Sequence, residues 1–473
     1  MTKFYIDQHG CAKNQTDGEL VASYLTKQGY TLTTNASEAD FIYINTCGFI
    51  ESAKKESIEA VYNIKASYPN AKIILGGCLA ERYASSLFDS MTELDGVFGN
   101  GDLTKISNYI KTVSEKRELQ TYPQNTIAEG QRNHLFNYKA SAYVKITEGC
   151  SNYCSFCAIP LIRGELRSRT IESIVNEIEV LIENGVYEIN LIGQDLAAYG
   201  MGKNDFVLED KTLSPLATLF SKISTLSGDF IVRPLYIHPD HFNFDIIPIM
   251  QKDKRFVPYF DIPFQSGDDS IILAMNRKGP ASSYKSMIEK IRNSFETSVL
   301  RTTFLTGFPG ENDECAKNTK DFLLSIKPDW SGCFSYSREE DTAAYDMKKR
   351  VSKKVAQKRA DELEEAQSII TEEKLNQWVS KEVDVLIEEV IQVCDEAEDK
   401  SEGLAIGRAW FQAPEVDGCV VIRYDADEQK QANMVKEGNV VSVKILAVTG
   451  VNLDSRLVSL KKEFIQKNIN FIN

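Results

Sequence analysis

The chain has 473 residues, of which 42% are hydrophobic; it is too long for a single core and indicates about three domains. Its 68 acidic and 54 basic residues give a net charge of -14, which argues against a general nucleic-acid-binding surface and favours a basic protein partner. No run of about 18 apolar residues is present, and the N-terminus resembles a strand instead of an export signal. We therefore expect a soluble cytoplasmic protein whose ten cysteines are reduced or bind metal.

The first third of the chain alternates strands with helices. Apolar β-rich runs and helical spacing predict strands at 3–11, 40–47 and 72–78, and helices at 16–29 and 49–68. Such alternation is typical of a doubly wound parallel α/β sheet. We assign residues 1–125 to this N-terminal domain.

The alternation starts again in the middle of the chain, after a polar segment at 114–133 that is predicted to be a linker. Six strands are predicted, at 142–148, 187–193, 230–237, 259–265, 300–307 and 332–337. Helical segments separate them, which predicts an incomplete (β/α)6 barrel. We assign residues 136–345 to this domain.

The sequence pattern of the last third differs from that of the first two. Residues 346–378 are highly charged with few helix breakers, which favours a solvated connecting helix. From residue 379 to 463, short β-like runs alternate with turn residues. This pattern predicts a small antiparallel, OB-like β-barrel.

Three cysteines of the N-terminal domain, Cys11, Cys47 and Cys78, each fall at the carboxyl end of a predicted strand. Because the carboxyl ends of parallel strands share one edge of a sheet, we expect the three thiols to converge there. The alternative is that they are ordinary buried thiols. Each has an adjacent glycine, which would let the backbone approach a bulky inorganic group. These glycines are Gly10, Gly48 and Gly77.

A second triplet, Cys150, Cys154 and Cys157, has the spacing C-x3-C-x2-C just after a predicted strand. Three thiolates with a distant histidine would bind zinc, but none of the four histidines lies near this loop in sequence. An iron-sulfur cubane held by three thiolates has one iron without a protein ligand. The second arrangement leaves a coordination position for a reacting molecule, and we favour it.

Motifs throughout the chain resemble those of the radical S-adenosylmethionine methylthiotransferases. The second triplet matches that family's signature, and "AIPLIRGELRSR", "VYEINLIGQDLAAYG" and "LRTTFLTGFPGE" are similar to its barrel motifs. Upstream, "HGCAKNQTDGEL", "NTCGFIESAKKESIEA" and "GGCLAERY" resemble its N-terminal domain, and the C-terminal segment resembles its TRAM domain. The resemblance, from about residue 3 to 460, implies a methylthiotransferase with two 4Fe-4S clusters, one on each triplet. It also implies that the barrel cluster activates S-adenosylmethionine, which serves as radical source and methyl donor.

The resemblance also implies weaker contacts to S-adenosylmethionine at Gln194 and Asp195, and at Gly307 and Glu311. The first pair is equally well explained as a strand-end cap, and the second as a loop-shaping pair. Arginines 163, 167 and 169 follow the cluster loop, where they would pair with a carboxylate of substrate or cosubstrate or form a solvated basic surface. No catalytic side chain is assigned.

Within the family, "GCAKNQ", "CAIPLIRGELRSR" and "GRAWFQAPEVDG" are most similar to the branch that modifies the β-carbon of an aspartate in small-subunit ribosomal protein twelve. The alternative is the branch that modifies an adenosine of tRNA. Residues 380–462 contain 16 acidic and 10 basic residues, which favours a basic protein over a phosphate backbone; Glu415 and Asp417 are expected on this steering surface. The implied partners are the ribosomal protein, a reductant such as flavodoxin or ferredoxin, and a sulfur donor, without membrane or strong nucleic-acid binding.

Two positions depart from the family pattern. His9 stands where relatives usually have leucine, which raises the possibility of a contact with the N-terminal cluster. Gln265 and Ser266 stand where relatives have glutamine and histidine, so no histidine acts at 266.

Overall fold

A computed structural model describes residues 2–391 and 402–472 of the chain. In these residues, no helix is both long and apolar enough to cross a membrane. Cys394 and part of the predicted C-terminal barrel lie outside the described residues.

The N-terminal region is a parallel sheet with helices on both faces. Its strands are β1 (Lys3–Gln8), β2 (Thr31–Leu32), β3 (Phe41–Thr46), β4 (Lys72–Gly76), β5 (Gly96–Phe98) and β6 (Glu118–Gln120). Its helices are α1 (Ala12–Lys27), α2 (Glu51–Ser67), α3 (Gly77–Ser90) and α4 (Ile106–Glu115). The strand order is β2-β1-β3-β4-β5-β6, with α1 and α4 packed on one face and α2 and α3 on the other. The doubly wound sheet is confirmed, and its edge strand β6 comes from the segment predicted to be a linker.

The central region is an open (β/α)6 barrel. Its strands and short hairpin are β7 (His134–Leu135), β8 (Ser141–Lys145), β9 (Thr147–Glu148), β10 (Arg167–Ser168), β11 (Glu188–Ile192), β12 (Ile231–Pro234), β13 (Tyr259–Asp261), β14 (Val299–Thr306) and β15 (Trp330–Ser335). Its helices are α5 (Ile159–Arg163), α6 (Ile171–Glu183), α7 (Pro215–Ile223), α8 (Ile246–Lys252), α9 (Asp269–Ala274), α10 (Ala281–Ser294), α11 (Asp313–Ile326) and α12 (Lys353–Asn376).

Six parallel strands line this barrel in the order β8-β11-β12-β13-β14-β15. A bridge between Val232 and Phe256 joins its two halves. Alternate residues point outward to the helices, as Ile189 and Leu191 do, and inward to the lumen, as Glu188 and Asn190 do. The main core therefore lies between strands and helices, and the lumen is polar.

Helix α12 differs from the solvated connector predicted for 346–378. It packs along β14 and β15, and Ala360, Leu363 and Ile370 on one face are buried in the barrel core. These residues recur at helical spacing within a charged sequence, so charge content concealed the apolar stripe. The helix therefore completes the sixth strand-helix unit.

The C-terminal region is a closed five-stranded barrel. Its elements are β16 (Glu382–Ile391), β17 (Glu402–Ala409), β18 (Val420–Asp425), α13 (Gln429–Met434), β19 (Val440–Thr449) and β20 (Asn452–Lys462), followed by a tail strand β21 (Asn470–Phe471). The strands close in the order β16-β17-β18-β20-β19, and the β18–β20 pair is parallel while the others are antiparallel. The tail strand β21 pairs with β7, which ties the chain end to the central region.

Residues 410–417, which we call the plug segment, connect β17 to β18 and pack into the lumen of the central barrel. Trp330 donates its indole N–H to the carbonyl of Phe411 at 2.9 Å. Asp417 accepts hydrogen bonds from Tyr259 and Arg301, each at 2.6 Å, and its side chain is fully buried. The expectation that Asp417 lies on a steering surface is therefore wrong, because this carboxylate is an internal ion-pair partner.

Candidate active site

The cysteines of the N-terminal triplet follow three neighbouring strands of the sheet. Cys11 lies between β1 and α1, Cys47 follows β3, and Cys78 is the second residue of α3 after β4. Because β1, β3 and β4 are adjacent and parallel, their carboxyl ends bring the three loops together. The structure thus places the three residues at one sheet edge.

Glycines let these three loops pack directly against one another. A methyl group on Gly48 would lie 2.7 Å from the Cα of Leu79, and one on Gly10 would lie 3.1 Å from the Cβ of Cys47. Gly10 also has a φ of +89°, which favours glycine. These glycines therefore let the cysteine loops pack closely against one another. The role expected from the sequence was a close approach of the backbone to an inorganic group.

The three thiols influence one another and two nearby cations. Arg163 donates to the Sγ of Cys78 at 3.3 Å. Burial and the charges of Cys11 and Cys47, partly offset by Arg163, raise the pKa of Cys78 to about 12. Although burial opposes it, Lys13 and Arg163 hold the pKa of Cys11 below its usual value. These mutual effects place the thiols within one small volume.

The barrel triplet lies on the loop between the β9–β10 hairpin strands, and hydrogen bonds hold this loop at both ends. Asn152 donates to Asp195 at 2.8 Å, and Ser155 donates its amide to the carbonyl of Met275 at 3.1 Å. Cys157 donates its amide to the carbonyl of Cys154 at 2.9 Å. The loop is therefore fixed by contacts to strand β11 and to the end of α9.

Burial, together with the charge of Cys154, raises the pKa of Cys150 and of Cys157 to about 12 each. Thiols with a raised pKa are disfavoured as free thiolates, and binding of Cys150 and Cys157 to a metal cluster would stabilise their thiolate form. Each triplet thus offers three sulfur ligands, the donor set of an iron-sulfur cluster with one open iron.

Two histidines lie beside the barrel triplet in space although both are distant in sequence. The Nε2 of His238 lies 3.8 Å from the Sγ of Cys154, and the Nε2 of His241 lies 2.9 Å from the Oδ1 of Asn152. Asp195, His238 and His241 have ligand atoms within 4.8 Å of one another. Their hydrogen bonds to Asn152 and to the amide of Asp240 make them supports of the cluster loop. His238 follows β12 as Asp195 follows β11, so its position after a strand would have been a signal for predicting it as well.

Gln194 and Asp195 follow β11, as predicted, but only one of the two side chains has a hydrogen-bond acceptor that is free for a ligand. Gln194 donates to Glu148 at 3.3 Å, and its buried Oε1 has no hydrogen-bond partner in the described residues. Asp195 accepts from Asn152 and from the amides of Ala197 and His238. Gln194 thus has an acceptor available for a ligand, whereas Asp195 caps a 3-10 turn and fixes the cluster loop.

Gly307 and Glu311 pair with each other at the end of β14. Glu311 accepts the amide of Gly307 at 2.8 Å and a guanidinium hydrogen of Arg359 at 2.7 Å. Burial raises the pKa of Glu311. These contacts join the loop to helix α12, so the structure shows a loop-shaping role for the pair.

Arg163 is neither a surface residue nor free for substrate. It is 3% exposed and contacts Glu148 at 2.8 Å and Asp17 at 2.9 Å. Lys145 also contacts both carboxylates, which joins α1 of the N-terminal sheet to the barrel. Arg169 is buried as well and pairs with Glu177. Neither a solvated surface nor a pair with a substrate carboxylate fits Arg163 and Arg169, because both are buried and pair with carboxylates of the protein itself.

His9 faces carboxylates instead of the N-terminal thiols. Its Nε2 lies 2.5 Å from Asp7 and its Nδ1 lies 3.6 Å from Glu56. The hydrogen bond to Asp7 raises the pKa of His9. Both ring nitrogens thus face acidic partners. Ser266 hydrogen-bonds Thr319 at 3.1 Å and has a structural role.

Family models match all three regions of the chain. Residues 3–99 match uncharacterized protein family UPF0004, residues 144–323 match the radical SAM superfamily, and residues 379–458 match the TRAM domain. Among solved structures, the radical S-adenosylmethionine methyltransferase TsrM from Kitasatospora setae has a TM-score of 0.53 at 10% identity over 73% of this chain and 74% of that chain. That likeness supports the fold.

Full-length relatives identify the family. The chain is 50% identical over 95% of its length to the ribosomal protein uS12 methylthiotransferase RimO of Treponema denticola, covering 99% of that protein. The protein of the same name from Aquifex aeolicus is 37% identical over 94% of this chain and 95% of its own length. That from Thermotoga maritima is 36% identical over 88% and 92%. The chain therefore belongs to the ribosomal protein uS12 methylthiotransferase family of radical S-adenosylmethionine enzymes.

Proposed function

We propose that this chain methylthiolates the β-carbon of an aspartate in ribosomal protein uS12, using one 4Fe-4S cluster on Cys11, Cys47 and Cys78 and another on Cys150, Cys154 and Cys157. The observation that carries this proposal is the position of Arg163. Its guanidinium contacts Cys78 at 3.3 Å and Glu148, two residues before Cys150, at 2.8 Å. One buried side chain thus links a cysteine of the N-terminal triplet to strand β9, which leads into the barrel triplet.

The enzyme is a methylthiotransferase, and its cofactors are S-adenosylmethionine and 4Fe-4S clusters. When bound, these groups supply the electron, the hydrogen-atom abstraction and the methylthio group that no protein side chain provides. The protein holds and separates the two centres. Asn152 and Asp195 fix one cysteine loop, and the closely packed glycine loops fix the other. Arg163 offsets the negative charge that gathers at the N-terminal thiolates.

A buried apolar cluster lies beside the first cysteine of the N-terminal triplet. Ala12, beside Cys11, packs in one cluster with Ile192 at the end of β11 and Leu235 after β12. All three are buried. The cluster joins the start of α1 to the ends of two barrel strands.

For S-adenosylmethionine we favour Gln194 as a direct contact, because its Oε1 is buried without a partner in the described part of the chain. Asp195 would act mainly by positioning the cluster loop through Asn152. Gly307 and Glu311 are weaker contacts, since each already pairs within its loop.

The reaction would take place in the cytoplasm on a uS12 protein substrate. A reductant such as flavodoxin or ferredoxin and a separate sulfur donor complete the proposed partners.

The proposed domain bounds are 1–125, 136–345, 346–378 and 379–463, and the third of these segments is a helix packed on the barrel. Exposed acidic residues of the TRAM domain favour a basic protein partner over a phosphate backbone.

The test is an anaerobic reaction of reconstituted enzyme, S-adenosylmethionine, a reductant and sulfide with purified uS12 and, separately, with tRNA. Peptide mass spectrometry should find one methylthio group in place of a hydrogen on a single aspartate of uS12. A methylthio label found in an adenosine of tRNA, with uS12 unmodified, would contradict the proposal and assign the chain to the tRNA-modifying activity.

A further inference from the structure

The side chain of Lys13 reaches from the N-terminal region into the mouth of the central barrel. Lys13 lies two residues after Cys11, and its Nζ lies 3.2 Å from the ring centroid of Tyr236, the second residue after β12. Its side chain is partly buried. The ammonium group therefore lies between the N-terminal triplet and the carboxyl ends of the barrel strands.

Within the described residues this ammonium group forms no ion pair, because no carboxylate oxygen lies within 4.0 Å of Lys13 Nζ. The group lies over the ring of Tyr236, and the charges of Asp261 and Glu148 act on it from farther away. Neighbouring cations differ, since Lys145 and Arg163 both contact Glu148, at 2.5 and 2.8 Å. Cations removed from water are normally paired. Lys13 is thus a cation with unused donors in a place where cations otherwise have acidic partners.

The backbone beneath Lys13 holds the aromatic ring in place. Tyr236 has a φ of +64°, a left-handed conformation that is unusual for a bulky residue. It is maintained by two hydrogen bonds, from the amide of Leu196 to the carbonyl of Tyr236 at 3.0 Å and from the amide of Tyr236 to Asp261 at 3.2 Å. Strained backbone of this kind concentrates at functional sites. The ring occupies one side of the ammonium group, which leaves N–H donors for a ligand.

We propose that Lys13 binds the carboxylate of the target aspartate and thereby sets specificity for aspartate over its amide. The inference rests on the proposed function, because it takes the substrate to be an aspartate. The β-carbon is bonded directly to the carboxylate carbon, so a carboxylate on Lys13 holds the reacting carbon beside Cys11. The link from Tyr236 to Leu196 places the same point next to the Gln194–Asp195 end of β11. An ammonium–carboxylate contact is charge-assisted, and an amide in the carboxylate's place weakens it.

The experiment must distinguish binding of the substrate carboxylate by Lys13 from an effect of Lys13 on the N-terminal cluster. Lys13 also lowers the pKa of Cys11, so it would act on the N-terminal thiolates even without touching substrate. That role predicts changes in cluster properties but no dependence on the substrate's carboxylate. The decisive comparison therefore varies the enzyme and the substrate together.

The experiment measures the Kd and the kcat/KM of reconstituted enzyme for uS12 carrying either aspartate or asparagine at the modified position. Wild type should prefer aspartate by roughly 10- to 100-fold in Kd, the range of a hydrogen bond to a charged group. Lys13→Gln should reduce that preference to within about threefold, with iron content and S-adenosylmethionine cleavage retained. Lys111→Gln, at an exposed lysine on α4, is the matched control and should keep the full preference.

A Lys13→Gln enzyme that still prefers aspartate, or one that only shifts the spectrum or potential of the N-terminal cluster, would overturn the proposal. If Lys13→Gln loses iron, Lys13→Arg keeps the positive charge and should keep the preference; loss of the preference in that variant would also overturn the inference. Failure of the proposed function is recognised separately, because wild type would then modify no aspartate of uS12.

Discussion

The two cysteine triplets reach the same donor set by opposite routes. Cys150, Cys154 and Cys157 lie on one loop within eight residues, whereas Cys11, Cys47 and Cys78 come from three strands and meet only when the sheet is complete. The barrel triplet therefore depends mainly on local structure, and the N-terminal triplet depends on long-range packing. The proposed function requires both, because it assigns activation of S-adenosylmethionine to the barrel centre and transfer of sulfur to the N-terminal centre.

The surroundings of the triplets differ as well. Two cations, Lys13 and Arg163, influence the N-terminal thiols, and the pKa of Cys11 is lowered. At the barrel triplet, burial raises the pKa of Cys150 and Cys157, and one cation, Arg277, opposes this rise. We expect the N-terminal centre to be the more sensitive of the two to changes in nearby charge.

The largest effect is expected when the local triplet is removed. Changing Cys150, Cys154 and Cys157 together to alanine should abolish both deoxyadenosine formation and methylthiolation, because S-adenosylmethionine is activated there. Iron and sulfide should fall by about half, since the other triplet still holds its cluster. Iron analysis and chromatography of the products measure both. Complete loss of iron would show that the two sites are not independent.

The next effect concerns the buried link between the triplets. Arg163→Ala leaves Glu148 and Asp17 short of a partner, and breaking a buried ion pair costs about 3–5 kcal/mol. We expect the urea midpoint of the variant to fall accordingly. Arg167→Ala is the control, because in the described part of the chain that arginine donates to the backbone carbonyls of Thr126, Arg163 and Glu165 and forms no ion pair. Equal losses in the two variants would contradict a special role for Arg163.

A smaller effect is expected from loosening the barrel loop. Asn152→Ala removes the hydrogen bonds to Asp195 and His241, and the loss of such outer supports typically costs about 10- to 100-fold in metal affinity or activity. The rate of S-adenosylmethionine cleavage should fall while iron content at the N-terminal triplet stays constant. Asn243→Ala removes a single bond to the carbonyl of Ala197 and serves as control. A normal cleavage rate in Asn152→Ala would show that the loop holds its shape without it.

The smallest effect is electrostatic. Asp427 and Glu428 are exposed on the TRAM domain, unlike Asp417, so they suit a test of steering. Changing both to lysine should weaken uS12 binding by about 2- to 5-fold at low salt and less at high salt, because screening shortens the range of surface charges. The salt series of Kd values provides its own control. An effect that does not change with salt would exclude steering as its cause.

The local pattern and the positions of the strands were enough to predict that each set of three cysteines lies together. They also predicted the doubly wound sheet and the six strands of the barrel. What the sequence did not reveal depends on contacts between distant segments. The sequence suggests either a pair with a substrate or cosubstrate carboxylate or a solvated surface for Arg163, because its partners, Asp17 and Glu148, belong to different regions. His238 and the plug segment reach the barrel mouth and lumen only through tertiary packing.

The most direct test is to change Cys11, Cys47 and Cys78 to alanine and to measure two products in one reaction, deoxyadenosine by chromatography and methylthiolated uS12 by mass spectrometry. The account predicts that deoxyadenosine is still formed while methylthiolated uS12 is absent, because the barrel triplet remains intact. Methylthiolated uS12 from this variant, or loss of deoxyadenosine despite a full barrel cluster, would contradict the division of roles between the two centres.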